Sequence, residues 1–408
     1  MHVSRRKWTA GFFSTAVTAA GVSGLLGMSA TPVWAQDVIK IGAPLALTGG
    51  LADEGKKQQV AYDMWLKRVN AAGGINVGGK RMKVELITYD YQTDEKRAQQ
   101  MAERLITQDR VNFLTAPFGS GHTKVVAGVA ERYGIPVMAS VASSESVFDQ
   151  VYKNLFGTLA PNAGITDSLV RIAQRQAPNV KRIAILGRDD VFPRAMATVM
   201  KATAEKNNLT VVYNELYPVG NLDFSAALSK IKSTNPDWIY VTGYTKDLVL
   251  ARKQMNDLQV TAPVITMITG PAYKEFIDAL GPLANGVTSA SWWHHSTAFK
   301  STDVWGSTDA FYKEFVAREK VDPDYVHASA AAALATLQSA IERAGSIDRD
   351  KVRAALAATD ITTFYGPIKF GGNGMNLGRD LPIIQVQGGK AVVLAPEGIK
   401  QGTLMLNK

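Results

Sequence analysis

The chain has 408 residues, with 45 Lys and Arg against 36 Asp and Glu, giving a formal charge of +9. It contains no cysteine, which excludes disulfide staples, thiolate metal centres and cysteine nucleophiles. Basic and acidic residues alternate, as in Asp94-Glu95-Lys96-Arg97, and no basic stripe carries interleaved aromatics, so nucleic acid is excluded as an expected partner. The surplus of positive charge mildly favours anionic solutes.

The first 36 residues read as an address. Arg5, Arg6 and Lys7 make a basic start, Phe12 to Met28 a mildly apolar stretch, and Val33-Trp34-Ala35 a small-residue cleavage signal ending at Ala35. Ser4-Arg5-Arg6-Lys7-Trp8 fits a twin-arginine signal in part, and an ordinary secretory start equally well. Loss of residues 1–35 removes three basic and no acidic residues, so the charge falls from +9 to +6. No later segment approaches the roughly 18 apolar residues of a membrane span. The remaining chain, about 370 residues, exceeds one comfortable core, and two domains are expected.

From there β-type runs alternate with amphipathic helical stretches. Strands are expected at Val38 to Ala43, Met82 to Tyr89, Val111 to Ala116 and Pro136 to Ala139. Helices are expected at Lys56 to Asn70, Asp94 to Gln108 and Ser120 to Tyr133. The rhythm restarts with strands at Arg182 to Gly187, Val211 to Leu216, Trp238 to Thr242 and Pro263 to Met267. Helices at Pro193 to Asn207, Phe224 to Ser233 and Lys246 to Leu258 lie between them. Such β-α units imply parallel sheets with right-handed crossovers. The expected fold class is therefore α/β, two doubly wound parallel-sheet lobes joined by three linkers. Lobe 1 would comprise residues 36–157 and 293–379, and lobe 2 residues 158–292 and 380–408. Thr308 to Thr359, nearly all helical, would cover lobe 1, and Leu381 to Gln387 would pair with Lys390 to Leu394 across Gly388-Gly389. Open α/β sheets bind ligands beyond the carboxyl ends of their strands, which places a site in the cleft between lobes.

Several motifs, in order along almost the whole chain, resemble the leucine/isoleucine/valine-binding proteins of ABC importers. They are Ile41-Gly42-Ala43-Pro44-Leu45 with Thr48-Gly49, Val69-Asn70-Ala71-Ala72-Gly73-Gly74-Ile75, Gly134-Ile135-Pro136-Val137 and Tyr365-Gly366-Pro367-Ile368-Lys369-Phe370. The resemblance implies a periplasmic solute-binding protein of two lobes and three linkers, working with a membrane permease. It also implies a small carboxylate-bearing solute of the branched-chain amino acid class; amides, urea and aromatic acids are the alternatives within the family. A ligand-sensing module docking on a receptor is the alternative outside transport. No cofactor or metal is expected, and the protein is expected to act as a monomer.

The candidate ligand residues follow. Phe118-Gly119-Ser120-Gly121 lies between a strand and a helix start, where free N–H groups and the helix dipole favour an anion. An ordinary N-cap is the other reading of Ser120. Ala142, Ser143 and Ser144 follow the next strand; the resemblance implies a backbone carbonyl from Ala142 and a hydroxyl from Ser144, and Tyr244 matches a cleft-facing tyrosine of lobe 2. At the place of the lobe-2 carboxylate that pairs with an amino acid's ammonium, this chain has Thr269, and Glu54 replaces an aromatic near the first turn. A hydroxyl cannot supply the missing charge; Glu54 either provides it from the other lobe or simply faces water. In Trp292-Trp293-His294-His295 only one Trp can face the cleft, and Trp293 is the candidate, with hinge packing as the other reading; Phe192, at the start of a lobe-2 helix, is a further cleft candidate. An enzyme is not expected: there is no Gly-x-Ser-x-Gly elbow, no His-Glu-x-x-His and no dinucleotide fingerprint.

Overall fold

The structure, a computed structural model, describes residues 38–150, 152–377 and 380–407. The export leader expected over residues 1–35 lies outside the described residues.

The elements run in the order the apolar periodicity implies. Strand β1 (Ile39–Leu45) leads into helix α1 (Ala52–Ala71), which starts four residues before the expected Lys56. Its first turn holds Asp53 and Glu54, acidic residues that suit the positive end of the helix dipole. A hairpin of β2 (Ile75–Val77) and β3 (Lys80–Met82) precedes β4 (Val84–Asp90) and α2 (Glu95–Thr107). Then come β5 (Phe113–Ala116), α3 (Ser120–Arg132), β6 (Val137–Ala139), the single turn α4 (Glu145–Phe148) and β7 (Leu155–Gly157). Next follow α5 (Asn162–Gln176), β8 (Arg182–Arg188), α6 (Val191–Lys206), β9 (Thr210–Tyr217) and α7 (Ser225–Ser233). After β10 (Trp238–Thr242) come α8 (Thr245–Asp257), β11 (Val264–Ile268), α9 (Lys274–Leu280) and β12 (Val287–Ala290). The expected helical tract resolves into α10 (Thr308–Glu319), α11 (Tyr325–Ala344) and α12 (Arg349–Ala357). Last come the hairpin β13 (Asp360–Thr363) with β14 (Gly366–Lys369), then β15 (Ile383–Gln387) and β16 (Lys390–Ala395).

These strands make two sheets. The first is all parallel, in the order β4-β1-β5-β6-β7. The second runs β16-β15-β12-β11-β10-β8-β9, parallel except for β15 and β16, which run antiparallel at one side. Central strands such as β5, β10 and β11 are buried at every position, as expected of strands covered by helices on both faces. Each sheet reverses its winding once. In the first, β1 is followed by β4 on one side and β5 on the other; in the second, β8 is followed by β9 on one side and β10 on the other. The loops leaving β5, β8 and β10 therefore sit at topological switch points, where such sheets bind ligands.

The chain crosses between the sheets three times, after β7, after β12 and after β14. The first and third crossings touch: Gly157 N–H donates to Gly374 O at 2.9 Å. Gly374 has φ +80, and a Cβ there would lie 1.9 Å from Leu155 O, so no other residue fits. Helix α11 packs along α1 and onto β6. Its run Ala328 to Ala335 is buried throughout, and the small side chains let it lie close, while Trp65 Nε1 donates to Gln338 Oε1 at 3.2 Å. No helix among the described residues is long and apolar enough to cross a membrane.

Candidate functional site

The first sheet supplies a helix start with no side-chain cap. The turn between β5 and α3 is held by Gly119, whose φ of +90 a glycine adopts without penalty, and no side chain caps the helix behind it. Gly119 N–H donates to Val141 O at 3.0 Å, tying this turn to the loop leaving β6. In that loop Ser144 N–H donates to Ser120 Oγ at 3.3 Å, so the two serines are neighbours. The Ser144 hydroxyl is fully buried and has no hydrogen-bond partner. An unpaired hydroxyl beside the positive end of a 13-residue helix is a costly arrangement in a folded core and a ready-made one for a carboxylate.

The second sheet covers this corner with aromatic side chains from its own switch point. Tyr244 heads α8 in a capping box in which Asp247 accepts from the Tyr244 N–H at 3.3 Å. Its ring meets Phe118 edge-on with centroids 5.6 Å apart and lies 6.3 Å from Phe192, in the first turn of α6. The Arg188 guanidinium sits 5.0 Å from the Tyr244 ring and is held there by Asp247 at 2.7 Å. Burial pushes the Tyr244 hydroxyl well above the usual tyrosine range, so it remains a neutral phenol. Phe118, Gly119, Ser120, Val141, Ser143, Leu159, Phe192, Tyr244, Trp292 and Tyr325 together enclose a gap with room for about one water molecule. In this conformation the lobes are shut against each other.

Six of the residues expected from the sequence thus meet at one place: Phe118, Gly119, Ser120, Ser143, Phe192 and Tyr244. Ala142 and Ser144 are buried directly beside them without lining the gap. Three others are placed differently. The expected tryptophan is Trp292 rather than Trp293: Trp292 packs on Phe192 and Tyr325, and its Nε1 donates to Ala160 O at 3.1 Å. Trp293, one residue on and pointing the other way, stacks edge-on with Phe311 of α10 and lines a separate groove. Thr269, at the left-handed φ of +82, donates its hydroxyl to Gly243 O at 3.4 Å and its N–H to Ser289 Oγ of β12 at 3.2 Å, both within its own lobe. Glu54 does not line the gap either. It is 3% exposed, and Thr245 Oγ1 of the opposite lobe donates to it at 3.1 Å.

Tyr325 had no signal in the sequence. It follows Asp324, the cap of α11, and its hydroxyl meets that of Tyr273 from the other lobe at 2.6 Å. Only the folding of α11 across the first sheet brings it to the gap. Beside this phenol pair, Lys57 reaches Asp324 at 2.7 Å and Glu275 of the second lobe at 2.8 Å, with its ammonium 4.1 Å from the Tyr273 ring. Burial works to raise the Asp324 carboxyl, yet Lys57 and His327 outweigh it and hold it well below the usual range.

The larger groove, about 900 Å³, runs along the junction of the lobes past Lys57, Glu275, Trp293, His294 and Asp322. It is the less suited place for a captured solute, because Lys57 and Glu275 in it are already paired with each other and lining residues such as Lys274, Asp278 and Asp322 are exposed to solvent. Burial, then the neighbouring His295, pushes His294 down to about 4, so that imidazole is neutral there. Among the described residues no group of three or more His, Cys, Asp or Glu is placed to hold a metal ion.

Two doubly wound lobes, three crossings and a gap at the paired switch points are the architecture of a two-lobed binding protein. The chain belongs to the periplasmic binding protein family, whose model matches residues 38–391. It is 27% identical over 359 residues to the Leu/Ile/Val-binding protein BraC3 of Rhizobium johnstonii, covering 87% of this chain and 93% of that one. In fold it is similar to LivJ, the branched-chain amino acid transporter substrate binding protein of Streptococcus pneumoniae solved with isoleucine. That likeness has a TM-score of 0.78 at 21% identity and covers 90% of this chain and 100% of that one. A solute-binding protein of an ABC transporter from R. palustris, solved with benzoate, has the same fold at TM-score 0.74 and 19% identity, covering 88% and 96%. These relatives bind solutes and belong to a family without enzymatic activity.

Proposed function

We propose that the chain is the exported solute-binding component of an ABC importer and that it captures a small carboxylate-bearing solute by closing its two lobes over Ser120 and Ser144. The observation that carries this reading is the buried, unpartnered Ser144 hydroxyl beside the uncapped start of α3, with Tyr244 of the other lobe packed above it. The carboxylate docks first on lobe 1, where each charge-assisted hydrogen bond contributes roughly 1.5–3 kcal/mol. Lobe 2 then closes, bringing Tyr244 and Phe192 over the solute and excluding water. Burial of an apolar body the size of a leucine or phenylalanine side chain adds about 1.5–3 kcal/mol. A permease would recognise the shut state, because only closure sets the surfaces of both lobes in one geometry.

In the shut arrangement Tyr244 of lobe 2 packs on Phe118 of lobe 1 and on Phe192 around this gap. Urea or a short amide would leave those apolar walls unfilled, so a carboxylate with an apolar body fits the lining better. The double variant Ser120→Ala, Ser144→Ala is expected to weaken carboxylate binding at least tenfold in calorimetric titration while leaving the melting temperature within a few degrees. Unchanged affinity in that variant would remove the anion site from the account.

A further inference from the structure

We infer that the solute is an aromatic carboxylate lacking an α-ammonium group, its ring enclosed by Phe118, Phe192, Tyr244, Trp292 and Tyr325. The inference rests on the reading that the gap between the switch points is the solute site. Five of the ten lining residues are aromatic, two are aliphatic and one is glycine; the other two are Ser120 and Ser143. Ser120 and Ser143 come from the segments that follow β5 and β6 of the first sheet, and Phe192 and Tyr244 from those that follow β8 and β10 of the second. None of the described lining residues bears a carboxylate.

An amino acid would bring its ammonium into this enclosure, where a buried cation is costly unless a counter-charge faces it. Four carboxylates near the lining, those of Asp190, Asp247, Asp324 and Glu54, are already engaged. Asp190 accepts from Val191 N–H at 2.7 Å and lies 3.5 Å from Arg188. Asp247 holds Arg188, and Asp324 holds Lys57 and His327. Glu54 takes the Thr245 hydroxyl, and its burial favours the neutral acid, which carries no charge to offer. Thr269, just past the end of β11, bears a hydroxyl rather than a carboxylate and spends it on Gly243 O.

The rings, in contrast, are arranged for a flat guest. Phe192 and Tyr244 lie 26° from parallel at 6.3 Å, the wide end of the range for direct ring contact, and Trp292 meets both Phe192 and Tyr325 obliquely at 5.9 and 5.0 Å. A small parting of the lobes would let a planar ring replace these mutual contacts with its own, at little conformational cost to side chains already buried and fixed.

The test is calorimetric titration of the purified protein, freed of carried solute by unfolding and refolding, with matched pairs: 3-phenylpropanoate against phenylalanine, and 4-methylpentanoate against leucine, with benzoate and phenylacetate alongside. The aryl carboxylates are expected to bind at least tenfold more tightly than phenylalanine, and 3-phenylpropanoate more tightly than 4-methylpentanoate. Trp292→Leu and Phe192→Leu, checked for an unchanged fold by circular dichroism, are each expected to reduce that preference for a ring at least fivefold. Leucine or phenylalanine binding as tightly as its deaminated partner would overturn the inference while leaving the carboxylate site intact. Failure of every carboxylate to bind would overturn the site reading as well, and so the two failures are distinguishable.

Discussion

Burial raises the Glu54 carboxyl above its ordinary value of 4.5, against the opposing pull of its own backbone N–H, of Lys57 and of the Thr245 hydroxyl. The other groups around it are Asp53 on its own helix and the phenols of Tyr91, Tyr244, Tyr273 and Tyr325, none of which supplies a cation. A raised folded-state value means that the folded chain keeps this proton to a higher pH than the unfolded chain does. Stability from this group is therefore full below 4.5 and falls as pH rises through the raised value. Gln is neutral throughout and can still accept from Thr245. Glu54→Gln is expected to melt higher than the parent at neutral pH, with the difference vanishing below the ordinary glutamate range. Melting curves across pH check this, and a variant less stable at neutral pH would show that the carboxylate is charged and paired there.

Among the elements, the turn joining β5 to α3 is the most sensitive to change. Gly119 combines a positive φ with a position where a Cβ would sit 3.4 Å from the Tyr244 hydroxyl across the gap. Gly119→Ala is expected to lower stability by about 1–3 kcal/mol through backbone strain, and to weaken solute binding because the methyl group stands where the lobes meet. Denaturant melts separate the first effect, and titration with 3-phenylpropanoate the second. Helix α11 shows a different dependence on its neighbours. Its alanines carry no packing information of their own until α1 supplies Trp65 and the first sheet supplies β6. Once placed, however, α11 delivers both the Asp324 cap and Tyr325 to the boundary between the lobes.

For the whole molecule, Lys57 forms a contact between lobes whose two halves should behave differently. Its bond to Asp324 lies within lobe 1 with both side chains 9% exposed, whereas its bond to Glu275 crosses to lobe 2, where the Glu275 side chain is 49% exposed. The crossing bond is half-screened by water and contributes about 0–1 kcal/mol to closure. Removing the lysine instead leaves a buried carboxylate short of its main partner, a loss of about 3–5 kcal/mol for such pairs. Glu275→Gln is thus expected to leave the melting temperature nearly unchanged while enlarging the radius of gyration of the solute-free protein in small-angle scattering. Lys57→Met is expected to destabilise the fold outright. Equal effects of the two changes would show that the lobes are not held by this bond.

Much of this was legible in the residues alone. Period-2 and period-3.6 patterns located most strands and helices because each buries a face against a neighbour, and Gly388-Gly389, both at positive φ, marked the final hairpin for the same local reason. Ser120 could be named because a helix start beyond a strand end favours an anion, whereas Ser143 and Tyr244 were singled out by the resemblance to the leucine/isoleucine/valine-binding proteins. The sequence had no means of choosing between Trp292 and Trp293, since alternation says that they diverge and not which of them faces the cleft. Nor could it bring Tyr325 to the gap or show that Thr269 spends its hydroxyl on Gly243. Those are matters of which surfaces meet when α11 and the second lobe dock, and that docking depends on contacts far apart in the chain that no local pattern encodes.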